Sequence, residues 1–237
     1  MNYNDSHKIY QAQVNNVRAL LASSKHLRKS INYALRKNDS ATAETLTKLY
    51  ALLFTSFAEA NFSKIIHTPY GFNPREIKQI KKACKRSVSS GWMKCLELSA
   101  KHLKAKKSNF QPNAKLKLKT LIRSNILDPS ILRNKLAHGQ WKIALNRENE
   151  SIQQPLTHKI ASLDIVTIDG WMNIHRRLAD VMECLIESPN KAFMGDWYEF
   201  VSDVENEIVA INSRTLEEHI KRLRSKEQKF SKTVLYE

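Results

Sequence analysis

Residues 133–139, Arg133-Asn134-Lys135-Leu136-Ala137-His138-Gly139, concentrate more usable chemistry than any other stretch of the chain. An arginine guanidinium grips phosphate through a rigid fork of donors. A histidine titrates near neutral pH and can exchange a proton with a reacting group. An asparagine supplies a neutral group that orients either of them. Such a trio suits phosphodiester cleavage without a metal ion.

Spacing alone is a weak argument for that chemistry. On a helix five residues turn the direction by roughly 140°, so Arg133 and His138 do not share a face, whereas Asn134 and His138, four apart, do. Gly139 is the residue to end the helix, which leaves His138 in the last turn, open to solvent. The helix dipole favours an imidazolium there, and the neighbouring Arg133 opposes it. The chain carries its own control in Arg214-Thr215-Leu216-Glu217-Glu218-His219, which repeats the spacing with two glutamates between and no terminating glycine. That second copy reads as an ordinary solvated helix face.

The elements that must position the motif read as helices. A first runs from about Ser6 to Lys37 and carries Ile9, Val17, Leu20, Leu27, Ile31 and Leu35 on one stripe. Asn38-Asp39-Ser40 caps a second, reaching about His67, with Glu59 among its apolar residues. Asn73-Pro74-Arg75-Glu76 opens a third as N-cap, N1 proline and capping glutamate. Ser89-Ser90-Gly91 is expected to kink or break it. A fourth is expected from Ala114 to Leu127, and Asp128-Pro129-Ser130 then starts a short helix bearing the motif. Trp141–Leu145 and Ile152–Ile160 suggest a small β-hairpin around residues 146–151. A long helix ends before Pro189, and a last one starts near Asp196. The expected fold is therefore an all-α helical bundle with a possible β-hairpin after the motif and a C-terminal helical extension. The expected division is a domain at 1–189 and the extension at 190–237.

Charge is divided unevenly. Residues 1–120 hold 23 Lys+Arg against 6 Asp+Glu and residues 121–237 hold 16 against 17, so +17 and −1 make up the net +16. Lysines on solvated helix faces are the plain explanation. An excess confined to one half also favours a polyanionic partner. The candidates for binding RNA are Lys82, Lys85, Arg86, Lys104, Lys106 and Lys107. Cys84, Cys95 and Cys184 are odd in number and lack metal spacing, so they read as core residues in a reducing cytoplasm. No signal peptide or membrane span is visible, and no metal or other cofactor is expected. Trp92, Trp141, Trp171 and Trp197 read as core, and Tyr70 and Phe72 as packed beneath a turn.

The segment Ile131-Leu132-Arg133-Asn134-Lys135-Leu136-Ala137-His138-Gly139 resembles the signature of the HEPN superfamily, small helical domains found in many prokaryotic toxins and defence ribonucleases. Upstream, Leu53-Phe54-Thr55-Ser56-Phe57-Ala58-Glu59-Ala60-Asn61-Phe62 resembles the family's N-terminal helical pair. The resemblance spans residues 5–188, and the last helix has no counterpart in it. It implies a metal-independent endoribonuclease, acting as a toxin or antiviral effector and restrained by an antitoxin or other regulatory protein. In that reading His138 performs acid/base chemistry, Arg133 holds the phosphate, and Asn134 orients His138 or the substrate. The family's habit of dimerising implies a composite site at a homodimer interface. Glu59 is a supporting candidate that could pin Arg133. The competing expectation is a non-catalytic module of the same family that binds RNA or protein. A DNA-binding regulator is disfavoured by the lack of a compact recognition helix.

Overall fold

The computed structural model describes residues 3–104 and 109–233. Lys106 and Lys107, two of the candidates for RNA binding, lie outside them. Among the described residues the fold is all-α, with the elements α1 (Tyr3–Arg36), α2 (Ser40–Ile66), α3 (Pro74–Cys84), α4 (Val88–Ser99), α5 (Phe110–Ala137), α6 (Gln154–Ala161), α7 (Ile165–Glu187), α8 (Ala192–Gly195), α9 (Trp197–Asn212) and α10 (Leu216–Thr233), and a 3-10 turn at Ala100–His102.

Local chemistry sets most of the boundaries. Between α1 and α2 the chain reverses through Asn38, in the left-handed region at φ 57°, and the Asp39 carboxylate accepts from the Thr42 N–H at 3.0 Å. Asn73 and Glu76 form the capping box that opens α3, with Asn73 Oδ1 accepting from the Glu76 N–H at 3.0 Å and Glu76 Oε2 from the Asn73 N–H at 2.9 Å. Asp164 caps α7 through the Thr167 N–H at 2.8 Å.

Four expectations need correction. The break after α3 falls at residues 85–87, where the Ser87 hydroxyl caps the Ser90 N–H at 3.0 Å, and Gly91 lies inside α4. The helices approach closely there, and a Cβ on residue 91 would stand 2.3 Å from Cys84 Sγ and force that side chain to shift. Second, Asp128-Pro129 does not begin a new helix, since α5 runs unbroken through Pro129. The proline forgoes the helical bond to the Asn125 carbonyl, and its ring is buried. Third, the hairpin reduces to one antiparallel bridge, Leu145 to Ile152, because Gln154-Pro155 starts α6. Fourth, the last helix divides at residues 213–215 into α9 and α10.

α1 and α2 pack as a long antiparallel pair, and α2 lies against α5 and α7. The apolar core forms two clusters. One gathers Ile65, Ile80, Leu96, Ile122 and Leu178 around the C-terminal half of α2, and the other gathers Ile31, Phe57, Leu132, Leu136 and Ile168 around the motif end of α5. Phe193, Trp197 and Val204 of α8 and α9 belong to the first cluster, so the segment beyond residue 189 shares a core with the helices before it. Polar ties fasten the layers. Asp169 of α7 accepts from the Tyr50 hydroxyl at 2.7 Å and pairs with Arg28 at 2.8 Å, and Lys64 pairs with Glu183 at 2.7 Å. Among the described residues no helix is long and apolar enough to cross a membrane.

Candidate functional site

Residues 133–137 close α5, and His138 follows as its C-cap. Leu132 and Leu136 are buried in the second cluster and fix the rotation of this turn. The helix ends as a Schellman motif. His138 is the C-cap, Gly139 adopts φ 77°, the Gly139 N–H reaches the Leu136 carbonyl at 3.2 Å, and the Gln140 N–H reaches the Lys135 carbonyl at 2.9 Å. Behind it, Trp141 Nε1 donates to the Leu136 carbonyl at 3.0 Å, and the Lys135 ammonium donates to the Leu145 carbonyl. The result is a fastened helix end with Asn134 and His138 exposed on it. The His138 N–H donates to the Asn134 carbonyl at 3.1 Å. Among the described residues neither the Asn134 amide nor the His138 imidazole has a side-chain hydrogen-bond partner.

Arg133 points elsewhere. Its guanidinium pairs with Glu59 across from α2. The arginine side chain is 22% exposed and the glutamate 57%, so the pair sits at a solvent boundary and contributes under about 1 kcal/mol. A phosphate could therefore displace the carboxylate without dismantling the fold. Arg133 and Glu59 stand at the edge of a cavity of about 380 Å³ between α2, α3, α4, α5 and α7. His138 and Asn134 do not line that cavity. One chain thus brings Arg133 to Glu59 and leaves His138 facing outward.

The basic candidates separate. Lys82, Lys85 and Arg86 line an open groove between α3, α4 and α5, where Lys94 and Arg123 join them. Glu97, also on the groove, is held ionised below the usual carboxylate range by Lys94, 3.0 Å away. Lys104 stands apart, its backbone N–H donating to Asn190 Oδ1 at 2.7 Å. The sequence reading missed Arg123. Ending a helix at Leu127 hid the fact that Arg123 and Arg133 share one rod, about 15 Å apart along its axis.

The remaining histidines and aromatic residues sort by burial. Trp92 and Trp197 are buried, and Trp141 and Trp171 pack against the second cluster. Phe72 is buried as expected, but Tyr70 is fully exposed. His67 is buried with Nδ1 2.6 Å from the Ser63 carbonyl, and burial pushes its pKa down. His175 is the most perturbed, pushed down by burial to about 4, and is neutral at physiological pH. The Arg214–His219 segment is not a continuous solvated face. Arg214 lies in the break before α10, 3.8 Å from Glu207, while His219 Nε2 lies 2.8 Å from Asn32 Oδ1 and fastens α10 to α1. Cys84, Cys95 and Cys184 are free thiols, with Cys95 wholly buried. Among the described residues no group of three or more His, Cys, Asp or Glu could hold a metal ion.

Compared with known protein families, characterised proteins and solved structures, the chain matches none.

Proposed function

We propose that this chain is a metal-independent endoribonuclease whose site is completed by a second copy, serving as a toxin or antiviral effector restrained by a regulatory protein. One observation carries the reading: His138 is presented on a Schellman-capped helix end, open to solvent, on the same turn as an Arg133 held by Glu59. A lone histidine facing outward can do half of an acid/base reaction. Two such helix ends apposed would supply both halves.

In the reaction the substrate's 2′-oxygen forms a bond to the adjacent phosphorus as the bond from phosphorus to the 5′-oxygen breaks. One His138 takes the 2′-hydroxyl proton, and its counterpart protonates the departing 5′-oxygen. Arg133 neutralises charge on the phosphoryl oxygens in the transition state. Asn134, exposed beside it, would orient the substrate. The groove bearing Lys82, Lys85, Arg86 and Arg123 would track the phosphate backbone.

Single-stranded RNA is incubated with the protein in excess chelator, beside His138→Ala and Arg133→Ala. Cleavage that leaves a cyclic phosphate and is lost in both variants is the expected result. Equal residual cleavage by all three would refute the assignment. Binding without cleavage by any of them would favour a non-catalytic RNA-binding module.

A further inference from the structure

We propose that the cavity between α2, α3, α4, α5 and α7 binds a small aromatic carboxylate. Its position is the first reason. It lies where the two apolar clusters meet, bounded by Phe54 from one and by Phe62, Trp92 and Ile126 from the other. Protein interiors ordinarily close such gaps, and about 380 Å³ falls within the range of ligand pockets rather than packing defects. The Phe62 and Trp92 rings stand 4.9 Å apart at 30°, a tilted wall that suits a flat ring.

The second reason is His175. Its ring lines the cavity, 3% exposed, and its Nδ1 has no hydrogen-bond partner. Phe54, Phe57 and Trp92 surround it edge-on, with centroids 5.4–6.0 Å away. The imidazole is thus part of the cavity wall, and its ring signal reports on an aromatic group bound there. The third reason is the charge at the rim, which Arg133, Lys81 and Glu59 line, with Arg133 paired to Glu59. The balance is one positive charge, which a monoanion neutralises while its ring enters the apolar part.

Arg133 serves this site and the proposed nuclease alike, but the inference stands without RNA cleavage and is tested without RNA. The probe is 2-naphthoate, with 2-naphthylmethylammonium as its cationic counterpart. Protein carrying isotope-labelled histidine is titrated, and the His175 ring signal is identified by its absence from His175→Phe. The expected result is that millimolar naphthoate shifts that signal and the ammonium compound does not. Losing a charged hydrogen bond in Arg133→Gln weakens naphthoate about tenfold or more. Ala58→Leu, which fills the cavity from α2, abolishes the shift. Arg133→Gln leaves the core untouched and remains informative if Ala58→Leu fails to fold. An unmoved His175 signal, equal binding of the cation, or unaltered binding by Arg133→Gln would each overturn the proposal.

Discussion

Lowering the pH from 8 to 5 should remove the stability that His175 contributes to this protein. Burial depresses its pKa to about 4, whereas in the unfolded chain it titrates near 6.5. Above 6.5 both states hold it neutral, and its contribution is fully present. As pH falls below 6.5 the unfolded chain binds a proton that the folded chain refuses, so stability is lost down to about pH 4. The shift corresponds to about 3 kcal/mol when complete and about 2 kcal/mol between pH 8 and pH 5. For a chain of this size that is roughly 4–8 °C in Tm. His67 and His219, also depressed by burial, act in the same direction. Asp169 and Asp180, raised by burial, act in the opposite one. Urea denaturation of the wild type and His175→Phe at both pH values isolates the term, because the other groups cancel in the difference. The phenylalanine also removes the unpaired nitrogen, so the variant should be no less stable at pH 8. A difference between the two proteins that stays constant from pH 8 to pH 5 would refute a neutral, buried His175.

Three further outcomes follow from packing, backbone conformation and charge. Gly170→Ala places a Cβ 2.5 Å from Ile211 where α7 meets α9, and should cost about 2 kcal/mol or more by urea denaturation. Gly139→Ala meets nothing within 4 Å and should cost only the left-handed conformation, about 1 kcal/mol. In RNA binding followed by anisotropy across a salt series, Lys85→Gln and Arg123→Gln should each lower the log–log salt slope by about 1. Lys104→Gln, outside the groove, should change it less.

The parts of the fold that were legible in sequence were those fixed by local chemistry. Asn73, Pro74 and Glu76 satisfy the first turn of α3 by themselves, so the cap is readable without knowing what α3 packs against. Gly139 is similar, since a left-handed residue after Leu-Ala-His ends a helix wherever it occurs. Elements decided by distant contacts were not legible. Pro129 ordinarily marks a helix end, yet the apolar packing of Ile126, Leu132 and Leu136 on both sides keeps α5 intact. Residues 152–160 alternate well enough for a strand, but an edge strand here would have had one partner, and Pro155 favours the first turn of a helix. Glu59 was legible as a partner for Arg133 because an acid among apolar residues on a paired helix has few cations within reach. His175 gave no signal, because its burial depends on three rings from other helices.

The continuity of α5 also ties the proposed activities together. One rigid helix carries Arg123 in the basic groove, Ile126 and Pro129 on the cavity wall, Arg133 at its rim, and His138 at its capped end. Broken at Asp128, the motif would ride on a separate short helix, and the groove and the motif could move independently. Unbroken, it fixes their separation. A backbone phosphate gripped at Arg123 then lies a few nucleotides from one at Arg133, a spacing that a single RNA strand can bridge. If both proposals hold, Arg133 has three competing anions: Glu59, with which it pairs in the structure, a scissile phosphate and the carboxylate ligand. Only one can hold its fork of donors in full at a time. A ligand in the cavity would therefore compete with RNA through a residue, not through a change of fold, and its inhibition of cleavage would be overcome by raising the RNA concentration.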